Sequence, residues 1–490
     1  MAKENVASVV TPESAAAAAV PPTNQSTHGA CAPRDAVKQQ DAAAAAAACD
    51  HGPDAAESVT CGDQIAWTTI VMLGMLCAFG PFCTDLYLPA VPTITRELLT
   101  DAATMQLTLT TSFLGLALGQ LLIGPISDAF GRKRPLYVSL IVFALSSVAC
   151  AYAPNITFLI IARLFQGLAG AGGIVLSRAI ACDMYSGAKL TQFMSLLMTV
   201  NSLAPILGPI VGSLITTFFD WPTMFLFLAL WGILLLVGSI KLVHESLPCD
   251  KRSPQIRAAV WAMFKECSNK RFMCLALSLS FVQGSFFGYL ASSPFIFQTI
   301  FGLSPFAYSM VFAANAVCIT IAANGAGFLA KRVSEPLVVR LALLLQLVAT
   351  LVLGVEILFE LHSIVLVCLS LALFVAMMGS AQTAGFGLVM GSRTGGAGAA
   401  SGLFGVLTFI FGALTAPLVG LMGETSMLPQ FLVMLGCTLC ALVLFHVGLK
   451  QHHLYTVLAR LLIRYLPAQN ALYIATCAWP RLRYALLRAT

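Results

Sequence analysis

The sequence predicts an all-α membrane protein with about twelve transmembrane helices, arranged as two pseudo-repeated six-helix halves. Three observations carry that prediction. Of the 490 residues, 58% are hydrophobic and only 10% charged, more apolar surface than one soluble core of this size can bury. Between Ile65 and Val447, apolar runs of about twenty residues recur, each long enough as a helix to cross about 30 Å of hydrocarbon. The chain also repeats itself weakly across its two halves.

Residues 1–63 form an Ala-rich tail, with "AAAAAV" and "DAAAAAAACD", more Asp and Glu than Lys and Arg, and no amphipathic period. Such a segment buries too little to fold, so it is expected to be disordered. It lacks a basic start followed by an apolar core, so the first span is expected to act as the insertion signal. The first half, 64–244, holds spans at 64–88, 104–126, 136–153, 156–179, 193–217 and 224–243. A linker at 245–270 follows, then a second half, 271–449, with spans at 272–293, 307–330, 337–357, 364–390, 399–422 and 429–449. From 450 to 490 the chain is basic and free of acids, with Leu454, Val457, Leu458, Leu461 and Leu462 at helical spacing. That tail reads either as a helix on the anionic leaflet or as a solvated basic segment.

Charge sets the orientation. With both termini in the cytoplasm, the inward gaps hold Arg132, Lys133, Arg134, Arg178, Lys189, Lys331, Arg332, Arg393 and the cations from Lys241 to Arg271. The outward gaps hold almost only Arg96, as the positive-inside rule requires. The repeat appears in "YLPAVP" (Tyr87–Pro92) and "YLASSP" (Tyr289–Pro294), which close the first and seventh spans. Pro135 and Pro336, each following a basic cluster, keep the same offset. A parallel repeat about the membrane normal, with a substrate cavity between its halves, is a secondary-transporter architecture.

Several chemistries find no support. There is no G-x-x-x-x-G-K-[ST] loop, so power must come from a gradient or a partner. The seven His have no metal spacing, the fifteen Cys are scattered, and no nucleophile and base pair stands out. No metal, cofactor, enzymatic activity or nucleic-acid partner is expected; the expected partners are a small-molecule substrate, protons and the lipid bilayer.

Two charges inside first-half apolar runs lie away from the basic ends, where Arg178 and Lys241 stand. Arg163 lies about two turns into the fourth span, where an Arg costs roughly 2.5–3.5 kcal/mol even on the insertion scale. It is functional, or it snorkels to the outer interface. Asp85, near the outer end of the first span between Pro81 and Pro89, is the natural partner. A carboxylate that alternates between a desolvated site and a nearby Arg could bind and release a proton; capping local structure is the alternative. In the fifth span, Ala204, Gly208 and Gly212 share one face, with Pro205 and Pro209 beside them. Gly115 and Gly119 read as helix packing. Cavity-lining candidates are Tyr87, Gln120, Gln166, Asn201, Gln283, Phe287 and Tyr289, each of which could instead be a buried contact between helices.

"GPISDAFGRKRP" (Gly124–Pro135) resembles the G-x-x-x-D-x-x-G-R-[KR] motif of the major facilitator superfamily. "RLFQGLAGAGG" and "APILGPIVGSLI" resemble the fourth- and fifth-helix motifs of its drug/proton antiporter branch. "TDLYLPAVPTI", "QLTLTTSFLGLALGQLLIGPISD" and "SPFIFQTIFGLSP" look like bicyclomycin- and chloramphenicol-resistance exporters. The resemblance runs from about Asp85 to about Val419. It departs in "GFLAKRVSEP", which lacks the Asp and the Gly-Arg pair, and in "ACDMYSG", where Cys182 stands in place of the Arg expected before Asp183.

The resemblance implies the major facilitator fold and proton-coupled multidrug efflux across a bacterial inner membrane. Asp85 would carry the proton, modulated by Arg163. Asp128, Gly131 and Arg132 would latch the cytoplasmic gate onto the start of the eleventh helix near Thr394–Gly402. Pro205, Gly208, Pro209 and Gly212 would pack against the second half and seal the cavity. Export of an endogenous metabolite, such as an amino acid, sugar or siderophore, fits the same residues. A non-transporting receptor on the same fold is the alternative of another class.

Overall fold

Proline breaks the first span. The computed structural model describes residues 67–465 apart from 249, 251, 253–254, 362 and 422–425, with side chains also left aside at 67, 188, 191 and 451–465. Helix α1 (Trp67–Cys77) is followed by α2 (Phe79–Asp85), a 3-10 turn (Leu88–Ala90) and α3 (Val91–Glu97). The two parts of this span, Thr68–Cys77 and Phe79–Glu97, meet at 49°. Pro81 has no N–H to offer the carbonyl of Cys77, and its ring crowds that carbonyl, which places the break between the helices.

The remaining spans of the first half are α4 (Ala102–Phe130), α5 (Lys133–Ala151), α6 (Ile156–Met184), α7 (Gly187–Phe218) and α8 (Pro222–Leu242). Short polar side chains start two of them: Asp101 accepts from the N–H of Thr104 at 3.4 Å, and Asn155 from that of Phe158 at 2.9 Å. Gly131 ends α4 with φ of +88°, a conformation that favours glycine. A linker helix, α9 (Ile256–Glu266), leads to α10 (Lys270–Pro294, prolonged by a π turn over Phe295–Ile300), α11 (Pro305–Leu329), α12 (Glu335–Leu358), α13 (Ile364–Gly391), α14 (Ala397–Val419) and α15 (Leu428–Tyr465). Among the described residues, eleven helices are long and apolar enough to cross a membrane, or twelve spans with the bent first one. No strand occurs among the described residues.

Small residues set the closest approaches. A side chain on Gly115 would strike the backbone of Leu164 and Leu168, and one on Gly119 would meet Ala171, so α4 lies directly against α6. Across the halves, α4 packs on α14 and α7 on α11. Three hydrogen bonds between halves lie toward the end opposite the basic loops, called here the far end. Gln106 donates to the Ala291 carbonyl at 2.5 Å, Gln298 to that of Pro89 at 3.1 Å, and Ser309 to that of Pro209 at 2.8 Å. Toward the basic end, Ser195 and Thr199 of α7 and Asn324 of α11 are exposed.

The expectations for 1–63 and for 466–490 lie outside the described residues. Residues 450–465 continue the helix of the last span as part of α15 and do not open a separate one.

Candidate functional site

Asp85 and Arg163 do not pair. Cys83 and Asp85 sit two positions apart on α2, about 200° around a helix, so they face opposite sides. Cys83 faces α6, where Arg163 Nη1 donates to its Sγ at 3.4 Å. Asp85 faces the other way, against Gly208 of α7, whose added Cβ would sit 3.1 Å from that of Asp85. Asp85 is 4% exposed, and the Thr84 hydroxyl donates to its Oδ1 at 3.3 Å. No ion pair joins it to a cation among the described residues. The expected Asp85–Arg163 couple is therefore corrected to two separate sites on opposite faces of one short helix.

Arg163 is fully enclosed, at 0% exposure. Nη1 also donates to Gln166 Oε1 at 2.6 Å, and Gln166 Nε2 in turn donates to Ser147 at 2.8 Å. The guanidinium lies 4.7 Å from the ring centre of Tyr87 and 5.9 Å from that of Phe225. Aromatic faces can hold a cation that has no counter-anion. Nε and Nη2 have no hydrogen-bond partner. The side chain reaches inward, so the snorkelling alternative does not describe it.

Several expected cavity walls are helix–helix contacts. Tyr87 shares a 2.9 Å bond with Thr108, Gln166 serves Arg163, and Tyr289 accepts from Asn315 at 2.8 Å; all three are buried. They are occupied because a buried polar group needs a partner. Phe287 stacks between Phe113 and Phe409, with ring centres at 4.2 and 5.7 Å. That aromatic group brings together α4, α10 and α14, the seam between the halves. Gln120, Asn201 and Gln283 are half-buried; Gln120 faces Gly405 of α14, and Gln283 accepts from Gln382 at 3.0 Å.

The fifth-span motif serves both halves. Gly212 leaves room for the Leu86 carbonyl and Gly208 for Asp85, while Pro209, whose ring frees backbone acceptors, presents its carbonyl to Ser309 of α11.

At the basic end, Asp128 does not touch α14. Arg132 Nη1 donates to Asp128 and to Ser127, both at 2.6 Å, while its Nε donates to Asp183 at 2.8 Å. Asp183 is engaged although Cys182 replaces the expected Arg, and Ser246 donates to it as well, at 2.9 Å. Glu245 accepts from the backbone N–H of Arg132 at 2.8 Å and of Lys133 at 3.3 Å, capping α5. Gly131 permits this: a Cβ there would stand 2.6 Å from Glu245 Oε2.

The N-terminus of α14, where the latch was expected, belongs to Glu266. This carboxylate, 2% exposed, accepts from the Thr394 N–H at 3.1 Å, the Thr394 hydroxyl at 3.2 Å and the Gly395 N–H. Asn269 adds a bond to the Ser392 carbonyl at 2.7 Å. In this structure Glu266, and not Asp128, accepts from these groups. Among the described residues, no group of three or more His, Cys, Asp or Glu is placed to hold a metal ion.

A family model, the Major Facilitator Superfamily, matches residues 71–417. The uncharacterized MFS-type transporter YdgK of Bacillus subtilis is 37% identical over 366 residues, 74% of this chain and 90% of that protein. The bicyclomycin resistance protein homolog of Haemophilus influenzae is 26% identical, over 77% of this chain and 95% of its own. Among solved structures, a D-xylose-proton symporter superposes with a TM-score of 0.63 at 16% identity, covering 76% of this chain and 96% of that one.

Proposed function

This chain belongs to the major facilitator superfamily, and from that premise we propose that it exports small amphipathic compounds in exchange for protons. In this reading the basic end faces the cytoplasm of a bacterium, the membrane is the inner one, and the halves alternate access to the seam between them. The observation that carries it is Asp85, a carboxylate enclosed between the broken first span and the fifth-span motif, with no ion pair to a cation among the described residues. An acid so placed is stable there when protonated and needs water or a cation when ionised. Rocking the halves apart at the far end would hydrate it, so its proton and the conformation are coupled. Gly208, packed on Asp85, and Pro209, bonded to Ser309, link that acid to the interface that must part.

The aromatic group of Phe113, Phe287 and Phe409, flanked by Gln120 and Gln283, suits a flat apolar body carrying a few polar groups. Relatives named for bicyclomycin, chloramphenicol and multidrug resistance lend support to toxic compounds as the cargo. The exposed polar residues of α7 and α11 toward the basic end fit a state that receives substrate from the cytoplasm.

The test is proton release from energised inverted vesicles on adding a panel of antibiotics and cationic dyes. Wild type should dissipate the pH gradient with at least one compound, and Asp85→Asn with none. A response to amino acids, sugars or siderophores alone would transfer the cargo to metabolites; an undiminished response in Asp85→Asn would remove Asp85 from the coupling.

A further inference from the structure

The linker helix α9 presents two faces. Met263 is buried and covers a cleft of about 160 Å³ between α4 and α14. The walls of that cleft are apolar, with Leu114, Leu118 and Leu121 on one side and Leu403 and Val406 on the other. Gly115 and Gly119 mark the opposite face of α4, against α6. Leu114 and Leu118 are 40% and 38% exposed, so the cleft opens sideways between two membrane spans, where lipid is the solvent.

The other face of α9 carries Arg257, Trp261 and Lys265, four residues apart and hence in one row. All three are exposed, Trp261 at 72%. Neither cation has an ion pair among the described residues. Phe264, 51% exposed, lies beside this row and lines the cleft as well. A Trp between two cations on a short amphipathic helix is the pattern of a helix lying in the membrane interface. Glu266 and Asn269 fix its depth by tying it to the start of α14.

From this juxtaposition we infer that α9 and the α4–α14 cleft form a binding site for one anionic phospholipid of the leaflet at the basic end. The phosphate lies along Arg257 and Lys265, the glycerol region against Trp261, and an acyl chain enters the cleft past Phe264. Charge complementarity selects the anionic class: two cations without ion pairs among the described residues flank Phe264, which borders a wholly apolar crevice, with Lys270, exposed, one turn further on.

The full chain, purified with its lipid stripped by detergent, would be titrated with phosphatidylglycerol and with phosphatidylethanolamine and read by native mass spectrometry. Wild type should retain one phosphatidylglycerol in preference to phosphatidylethanolamine. A cation near an anionic surface contributes about fivefold in affinity, so Arg257→Ala with Lys265→Ala should weaken phosphatidylglycerol about twenty-five-fold and zwitterionic phosphatidylethanolamine, whose ammonium offsets its phosphate, far less. Both substitutions lie on the outer face and leave the packing of Met263 and Glu266 intact. Leu118→Trp, which fills the cleft, should reduce retention of both lipids. Quenching of Trp261 by phosphatidylglycerol brominated on its acyl chains, absent in Trp261→Phe, would place the lipid on α9. Equal retention of the two lipids by wild type, or retention indifferent to these substitutions, would overturn the proposal. So would ethidium occupying the cleft without competition from phosphatidylglycerol, which would make it a side entrance for cargo.

Discussion

Replacing Glu266 by Ala should loosen the start of α14 before it affects anything else. The carboxylate is 2% exposed and takes the N–H groups of Thr394 and Gly395 together with the Thr394 hydroxyl. Hydrogen bonds to a charged group contribute about 1.5–3 kcal/mol each, and an anion at a helix N-terminus adds about 0.3–1 kcal/mol. Water that enters the vacated space replaces part of this, so the expected loss for opening the 394–396 bend that leads into α14 is about 3 kcal/mol. At roughly tenfold per 1.4 kcal/mol, amide exchange in a peptide covering 394–400 should quicken by about a hundredfold. Peptides from the first half, such as one covering α5, should keep their rates, because Glu245 and not Glu266 caps that helix. Glu266→Gln keeps one acceptor and should give an intermediate rate. Unchanged exchange over 394–400 in Glu266→Ala would refute the claim that this side chain holds the helix start.

Three further outcomes follow from the geometry. Gly212→Leu should abolish folded protein in size-exclusion chromatography or leave it inactive in transport, since any side chain there meets the Leu86 carbonyl; Ala204→Gly, on the same face, should be tolerated. Asp128→Asn should lower the thermal midpoint little, because its side chain is 47% exposed and such ion pairs contribute about 0–1 kcal/mol. Asp183→Asn, at 18% exposure and with two donors, should lower it several times more. The Thr104 hydroxyl and N–H bonds hold the Asp101 carboxyl below its usual range. Its cap is therefore intact above the unfolded value of about 3.9 and fails as pH falls through the depressed folded value, so exchange at 102–106 should rise only in that acid window and at all pH values in Asp101→Ala.

The fold was legible because membrane spans are written in composition: every expected span falls on helix, although the fifth helix starts six residues early and the last runs on to Tyr465. Gly131 was legible too, since a sharp turn before Pro135 leaves few other choices of residue. Partners across space were not. Asp85 and Arg163 are the two charges inside first-half apolar runs away from their basic ends, which made them look like a pair, yet the angle between Cys83 and Asp85 on one helix separates them. Glu266 stands 128 positions from Thr394, and nothing local distinguishes it from any other linker acid. Glu356, buried near the end of α12 and accepting from the N–H of Ser363 at 2.6 Å, escaped notice in the same way. Its role is visible only once α12 and α13 are folded against each other.

The linker is pinned at both ends, by Glu245 to the start of α5 and by Glu266 to the start of α14. It is thus a strap between two rigid bodies, and its slack is a mechanical quantity. Residues 246–255, drawn straight, would span roughly 35 Å. Arg252 folds that stretch back, with its Nε donating to the Leu247 carbonyl at 3.3 Å and its guanidinium 3.9 Å from Glu245. The strap is therefore turned back on itself at Arg252, and the drawn-out length of its chain bounds how far its two pinned ends could part.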